Sequence, residues 1–409
     1  MIINSRGEPT VKVNLTTDLD DRVYSASAPS GASCGEHEAW DLRDHDDHFN
    51  GLGVNKALNH VNAIIGPELK GKNILSQSEI DETLVELDGH TNKSRLGANA
   101  VLPVSLAVCR AAAAAYEQPL WQYTAFLYRK LNPESKIVIP KPCFNVINGG
   151  MHAGNWLDFQ EFMVIPQSEN YSDNLKAGVE LYQELKKVLI DEIGPISINV
   201  GDEGGFAPSL VMAESALDLI NSANNRLTQA TSIRVGIDCA AGTLFKDGHY
   251  RLADALKSRE AMIDYYEELV NRYPIVFLED PLEPEDWQGW NQLMNRLGNR
   301  IDIIGDDLLA TNKERIKEAK KSDAVNGVVI KLNQIGTVTE TLQAASLAAS
   351  FGWHLLVSHR SGDTNDDFIS DLAVGIGADY FKSGAPARGE RVAKYNRLLE
   401  IESELKHYE

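Results

Sequence analysis

The chain has 409 residues, 43% apolar and 24% charged, a composition that excludes a mainly disordered protein. Its 39 basic and 59 acidic residues give a net charge of −20, a field that repels phosphodiester backbones and argues against a nucleic-acid partner. No run approaches the roughly 18 unbroken apolar residues of a membrane span. No secretory h-region follows Met1, and Cys34, Cys109, Cys143 and Cys239 are too scattered for a zinc site or disulfide framework, so a cytoplasmic protein with reduced thiols is expected.

Residues 10–16 read TVKVNLT, apolar at alternate positions, and predict a half-buried strand pairing with 24–28 across the acidic turn at 18–21. Residues 30–35, SGASCG, are flexible and hydroxyl-rich and read as a linker or a lid. Residues 98–116 are rich in Ala and Leu and predict one long buried helix, with Pro103 expected in its first turn. Residues 130–141, broken by Asn132-Pro133 and Pro140, read as a connector. The domain boundary is placed there, giving a small α+β domain over 1–133 and a larger one over 134–409.

Beyond the connector, short β-branched runs end in a polar residue and are followed by helical stretches. They are RVGID at Asp238, IVFLE at Glu279, IDIIGD at Asp306, GVVIK at Lys331, LLVSH at His359 and DYFK at Lys382, with successive ends 23 to 41 residues apart. That spacing suits a strand, a helix and two loops. The alternation predicts parallel βα units of an α/β protein, closing as a (β/α)8-type barrel.

Strand ends of such a barrel converge on one mouth, where catalytic residues sit. Asp238, Glu279 and Asp306 come from consecutive strands and repel one another unless a cation neutralises them; all-oxygen ligation suits Mg2+. Singly, each could equally cap the helix that follows. Lys331 and Lys382 could snorkel to solvent. Opposite a carboxylate-bound metal they could instead lower one another's pKa, and a neutral amine then acts as a base. GDEGGFAP (201–208) is a tight turn presenting Asp202 and Glu203. NVINGGMHAGN (145–155) carries His152, a residue type most often polar surface in such a loop. SHRSG (358–362) sets the planar donor fork of Arg360 and the hydroxyl of Ser361 beside His359, as a phosphate or carboxylate requires.

Together these segments resemble the enolase family, the glycolytic phosphopyruvate hydratases. The likeness runs from SRGEPTVKV to VAKYN and includes SGAS, FNVINGG, HAGN, QEFM, VGDEGGFAP, EDP, GDDL, KLNQIG, SHRSG, KSGAP and ER-x-AKYN, in order. HAGN and the NQIG string look like the eukaryotic branch more than the bacterial one. The resemblance implies a Mg2+-dependent, reversible dehydration of 2-phosphoglycerate to phosphoenolpyruvate. Asp238, Glu279 and Asp306 match the ligands of one Mg2+, and Ser33 matches the lid serine at a second, substrate-dependent one. Lys331 matches the base, Glu203 the acid and Glu161 its assistant, with Glu pKa values expected up and Lys down. Lys382 matches the lysine that neutralises the substrate carboxylate, and His152, His359, Arg360 and Ser361 match substrate contacts.

Departures from the family pattern are a missing first strand before SRG, Cys34 beside Ser33, Pro103, Met151, Trp156, Asp158, Phe159 and a shorter segment after Asp238. Met151, Trp156 and Phe159 would crowd the cleft, as in an attenuated paralogue with a binding or structural role. Another carboxylate lyase of the superfamily is the other alternative, disfavoured by the joint presence of SHRSG and SGAS. Cys34 could make the lid sensitive to oxidation. The resemblance also implies a homodimer. Here the usual interface charges are inverted, so a swapped Lys12–Glu400 contact between chains is expected.

Overall fold

Alternating burial builds the first hairpin. Lys12–Thr16 pairs antiparallel with Val23–Ser27, with Val13 opposite Ala26; both are buried, while Lys12 and Asn14 face solvent. The computed structural model describes residues 1–31, 35, 37–228 and 232–408. Ser33 and Cys34, the expected lid serine and its neighbouring thiol, lie outside the described residues. The other three cysteines are free and buried.

The helix Ala98–Ala115 packs on this hairpin. It is long and apolar enough by composition to cross a bilayer, but Asn99, Ser105 and Arg110 interrupt its apolar run and 83% of it is buried inside the protein. Its apolarity serves the core. Pro103 stands in its second turn rather than its first. The forfeited helical bond costs about 3 kcal/mol, which burial of nearly every side chain of the helix offsets.

Eight strands close the barrel: β1 (Lys141–Asn148), β2 (Glu161–Pro166), β3 (Ile233–Asp238), β4 (Ile275–Glu279), β5 (Asp302–Gly305), β6 (Gly327–Ile330), β7 (His354–Ser358) and β8 (Tyr380–Lys382). Asp238, Glu279 and Lys382 end β3, β4 and β8; Asp306, Lys331 and His359 directly follow β5, β6 and β7. The expected parallel order holds from β3 through β8 and back to β1. It fails at β2, which runs antiparallel to both β1 and β3. Between β1 and β2 the chain forms only one short 3-10 turn, Gly150–His152, and a parallel crossover needs more. The reversal brings the first residue of β2, Glu161, to the mouth, opposite Asp238.

Cys143, Met163, Ile165, Phe277, Ile304, Val329 and Leu356 form a small buried cluster inside the barrel. Gly236 on β3 leaves room for it, since a Cβ there would collide with the Phe277 ring.

Candidate active site

The mouth gathers the predicted strand-end residues. Lys382, 2% exposed, donates to both carboxylate oxygens of Glu279 at 2.7 Å, and to Asp238 Oδ2 and Glu161 Oε1 at 3.3 Å each. Lys331 pairs with Asp306, whose other oxygen accepts from Gln334 Nε2 at 2.9 Å. Two ammoniums thus stand among the three carboxylates expected to share a cation. Among the described residues, two groups have ligand atoms that all lie within 4.8 Å of one another: His152, Glu161 and Glu203, and Asp280, Asp306 and Asp307. The expected trio of Asp238, Glu279 and Asp306 is not one of them; there Lys382 pairs with Asp238 and Glu279, and Lys331 with Asp306.

The same contacts set pKa directions opposite to those expected beside a carboxylate-bound metal. Burial pushes Lys331 down, but Asp306 outweighs it and the amine lies above its ordinary range. Burial pushes Lys382 down too, and Glu161, Glu279 and Asp238 carry it well above. Glu203, expected up, goes down: burial raises it, and His152, His359 and Arg391 together hold it well below the carboxylate range. Burial and the charge of Glu203 instead raise Glu161 well above that range. Of these two carboxyls, Glu161 is the one pushed toward its protonated form.

Glycines position Glu203. A Cβ at Gly205 would lie 2.6 Å from Asn148 Oδ1, so the loop seats on β1 only without a side chain there. Asp202, the other acid of the turn, faces outward to Arg6 at 3.8 Å. Glu203 enters the site, where Oε1 lies 3.3 Å from His152 Nδ1 and Oε2 accepts from Asn145 Nδ2 at 3.0 Å. His152 is buried, not a surface residue.

At the anion-binding end, Arg360 forks onto Glu38, Nη1 to Oε2 at 2.8 Å and Nη2 to Oε1 at 3.2 Å, and donates to Asn333 Oδ1 at 3.0 Å. Ser361 Oγ, His359 Nε2, His152 Nδ1 and Glu161 Oε2 are buried without a hydrogen-bond partner, and all four residues line one cleft with Lys331 and Lys382. An unsatisfied buried polar atom costs about 1–3 kcal/mol. Four around one cleft mark the seat of a polar ligand.

Residues absent from the expected set support the site. Asp280 follows Glu279 with a left-handed backbone (φ 43°), and its two oxygens accept from the backbone N–H groups of Asp306 at 2.9 Å and Asp307 at 2.8 Å. Arg391 donates to His359 Nδ1 at 2.6 Å. Both lie in strings quoted above, EDP and ER-x-AKYN, but neither ends a strand. The expected crowding is not found. Phe159 is buried against Tyr266, ring centroids 5.9 Å apart, Asp158 accepts from the Ala253 N–H at 2.6 Å, and Trp156 is 74% exposed. Of the four unusual residues only Met151 lines the cleft.

Comparison with known proteins agrees with this geometry. Residues 1–124 match the family model of the enolase N-terminal domain, and 136–408 match that of the enolase C-terminal TIM barrel domain. The chain belongs to the enolase family. It is 47% identical to enolase B of Dictyostelium discoideum over 99% of this chain and 93% of that protein. It is also 47% identical to an enolase of Methanopyrus kandleri, over 99% and 94%, and 46% identical to one of Methanocaldococcus jannaschii, over 99% and 93%. Enolases are phosphopyruvate hydratases, carbon–oxygen lyases of glycolysis that use a divalent metal. The acidic clusters at this mouth supply donors of the kind such a metal takes.

Proposed function

We propose that the chain reversibly dehydrates 2-phosphoglycerate to phosphoenolpyruvate. Lys331 removes the proton α to the substrate carboxylate, Glu203 protonates the departing hydroxide with help from Glu161, and Lys382 neutralises the substrate carboxylate. His152, His359, Arg360 and Ser361 hold the substrate. The observation that carries this reading is the cleft lined by Lys331, Lys382 and four residues whose polar atoms are buried and unpartnered.

Asp238, Glu279 and Asp306 would hold Mg2+, with a second ion arriving with substrate. Their donor set is all oxygen, buried and mutually repelling, with Glu279 raised by burial and by Asp238, and such a set fits a hard divalent cation. Bound there, Mg2+ supplies positive charge for the dianionic enediolate that loss of the α-proton creates. That use of Mg2+ and a lysine base is the general pattern of the superfamily.

The protein's own groups set the order of events. Lys331 accepts a proton only as a neutral amine, and Asp306 favours its charged form, so the Lys331–Asp306 partnership must be exchanged before the base can act. Glu161 is the neighbouring store of the acid's proton, its ligand atom within 4.8 Å of that of Glu203. A small domain over 1–133 and a catalytic barrel over 134–409 accord with the spans of the two family models. The reading extends to a cytoplasmic homodimer with Lys12 of one chain near Glu400 of the other. Within the chain Lys12 is exposed, and Glu400 pairs with Arg397 at 3.2 Å.

The test is an absorbance assay for phosphoenolpyruvate with purified protein, 2-phosphoglycerate and excess Mg2+. Product should form with the native chain and not with Lys331→Ala. No product above that control would overturn the reading.

A further inference from the structure

Arg391 is fully buried on the helix Gly389–Tyr408. Its Nη1 donates to His359 Nδ1 and to the Arg360 carbonyl, both at 2.6 Å. Its Nη2 donates to the Ser361 carbonyl at 2.6 Å, and to Ser5 Oγ and the Asp202 carbonyl at 3.2 Å each. A guanidinium can only donate, so His359 Nδ1 must accept. Burial pushes the His359 pKa down to about 4, so the ring is neutral near pH 7 and its one proton sits on Nε2. Nε2 faces Glu203 Oε2 at 3.5 Å, and the same oxygen already accepts from Asn145 Nδ2 at 3.0 Å.

We propose that Arg391 is a positioning residue: by donating to Nδ1 it holds His359 as the Nε2–H tautomer. Nε2–H then faces Oε2 of Glu203, which already accepts from the Asn145 amide, and leaves Oε1 as the oxygen that carries the transferable proton. The proposal rests on the reading of Glu203 as the acid. Two N–H groups aimed at Oε2 disfavour a proton there, because each would meet another hydrogen. Oε1 faces His152 Nδ1 instead. The same guanidinium fixes the two loops against each other. It grips the carbonyl just before Glu203 and the two carbonyls just after His359.

The experiment is 15N NMR of the full chain labelled at histidine, with the His359 signals identified by their loss in His359→Gln. At pH 6–8 the native protein should show His359 protonated at Nε2 and unprotonated at Nδ1. An Nδ1–H tautomer, or a fast mixture of the two, overturns the proposal. In Arg391→Met, of similar apolar length, the ring should relax into a mixture, and kcat should fall about tenfold or more with KM changed far less. Arg391→Lys, which also only donates, should restore the Nε2–H form. An unchanged tautomer in Arg391→Met overturns the proposal. If Arg391→Met fails to fold by circular dichroism, the native and Arg391→Lys spectra decide. An Nε2–H spectrum from a chain inactive on 2-phosphoglycerate would sink the functional reading alone, and a mixed spectrum from an active chain would sink the tautomer lock alone.

Discussion

At the scale of single residues, Asp280 separates a ligand's identity from its placement. Its two oxygens hold the backbone N–H groups of Asp306 and Asp307, and its left-handed φ is one that Asn also tolerates. Asp280→Asn therefore keeps the backbone and changes one acceptor into an N–H group that opposes another. Loss of a group that orients a metal ligand typically lowers metal affinity about 10–100-fold. Titration calorimetry with Mg2+ should show a loss of that order with little change in melting temperature, and unchanged Mg2+ affinity would count against this role. The strand-end residues were legible in the sequence because each closes an apolar run. Asp280, Arg391 and Glu38 were not, because they act through other side chains and no periodicity marks them. The protonation states were not legible either. They depend on which charge lies nearest, and a strand end does not tell that Asp306 faces Lys331 or that two histidines flank Glu203.

At the scale of elements, the six runs from Asp238 to Lys382 were readable because helices separate them. The direction of β2 was not, since EFMVIP is a continuous apolar run that fits either orientation. Its reversal follows from the connection, a glycine-rich loop without a helix. The strands also carry a packing constraint that pattern does not show. Gly236 on β3 accommodates the ring of Phe277, and Phe277 lies two residues before Glu279 on β4. Gly236→Ala should overpack the barrel interior and destabilise it by about 1–3 kcal/mol. Urea unfolding should show a lower midpoint with an unchanged slope. The displaced strand should also misplace Glu279, so Mg2+ affinity should fall in the same variant. A midpoint equal to that of the native chain would show that Phe277 can move aside without cost.

At the scale of the whole molecule, Arg110 ties the N-terminal helix and hairpin to the barrel. It donates to Asp366 Oδ2 at 2.8 Å and Oδ1 at 2.9 Å, to Asp367 Oδ1 at 2.8 Å and to the Ser25 carbonyl at 2.7 Å. Asp366 also accepts from the Ser27 N–H at 2.9 Å and the Phe368 N–H at 3.1 Å. Burial pushes the Asp366 carboxyl up, and Arg110 outweighs burial, so its folded pKa lies below its unfolded value of about 3.9. A depressed carboxyl contributes stability that is fully present above the unfolded pKa and is lost as pH falls through the folded one. Native stability contributed by this group should thus hold down to about pH 4 and decline below it. Arg110→Met strands a buried carboxylate, which costs about 3–5 kcal/mol, and removes the group that holds Asp366 down. Its decline should begin at a higher pH than that of the native chain. Urea unfolding from pH 3 to 7 measures both effects, and parallel pH profiles for the two proteins would show that Arg110 is not what keeps Asp366 ionised.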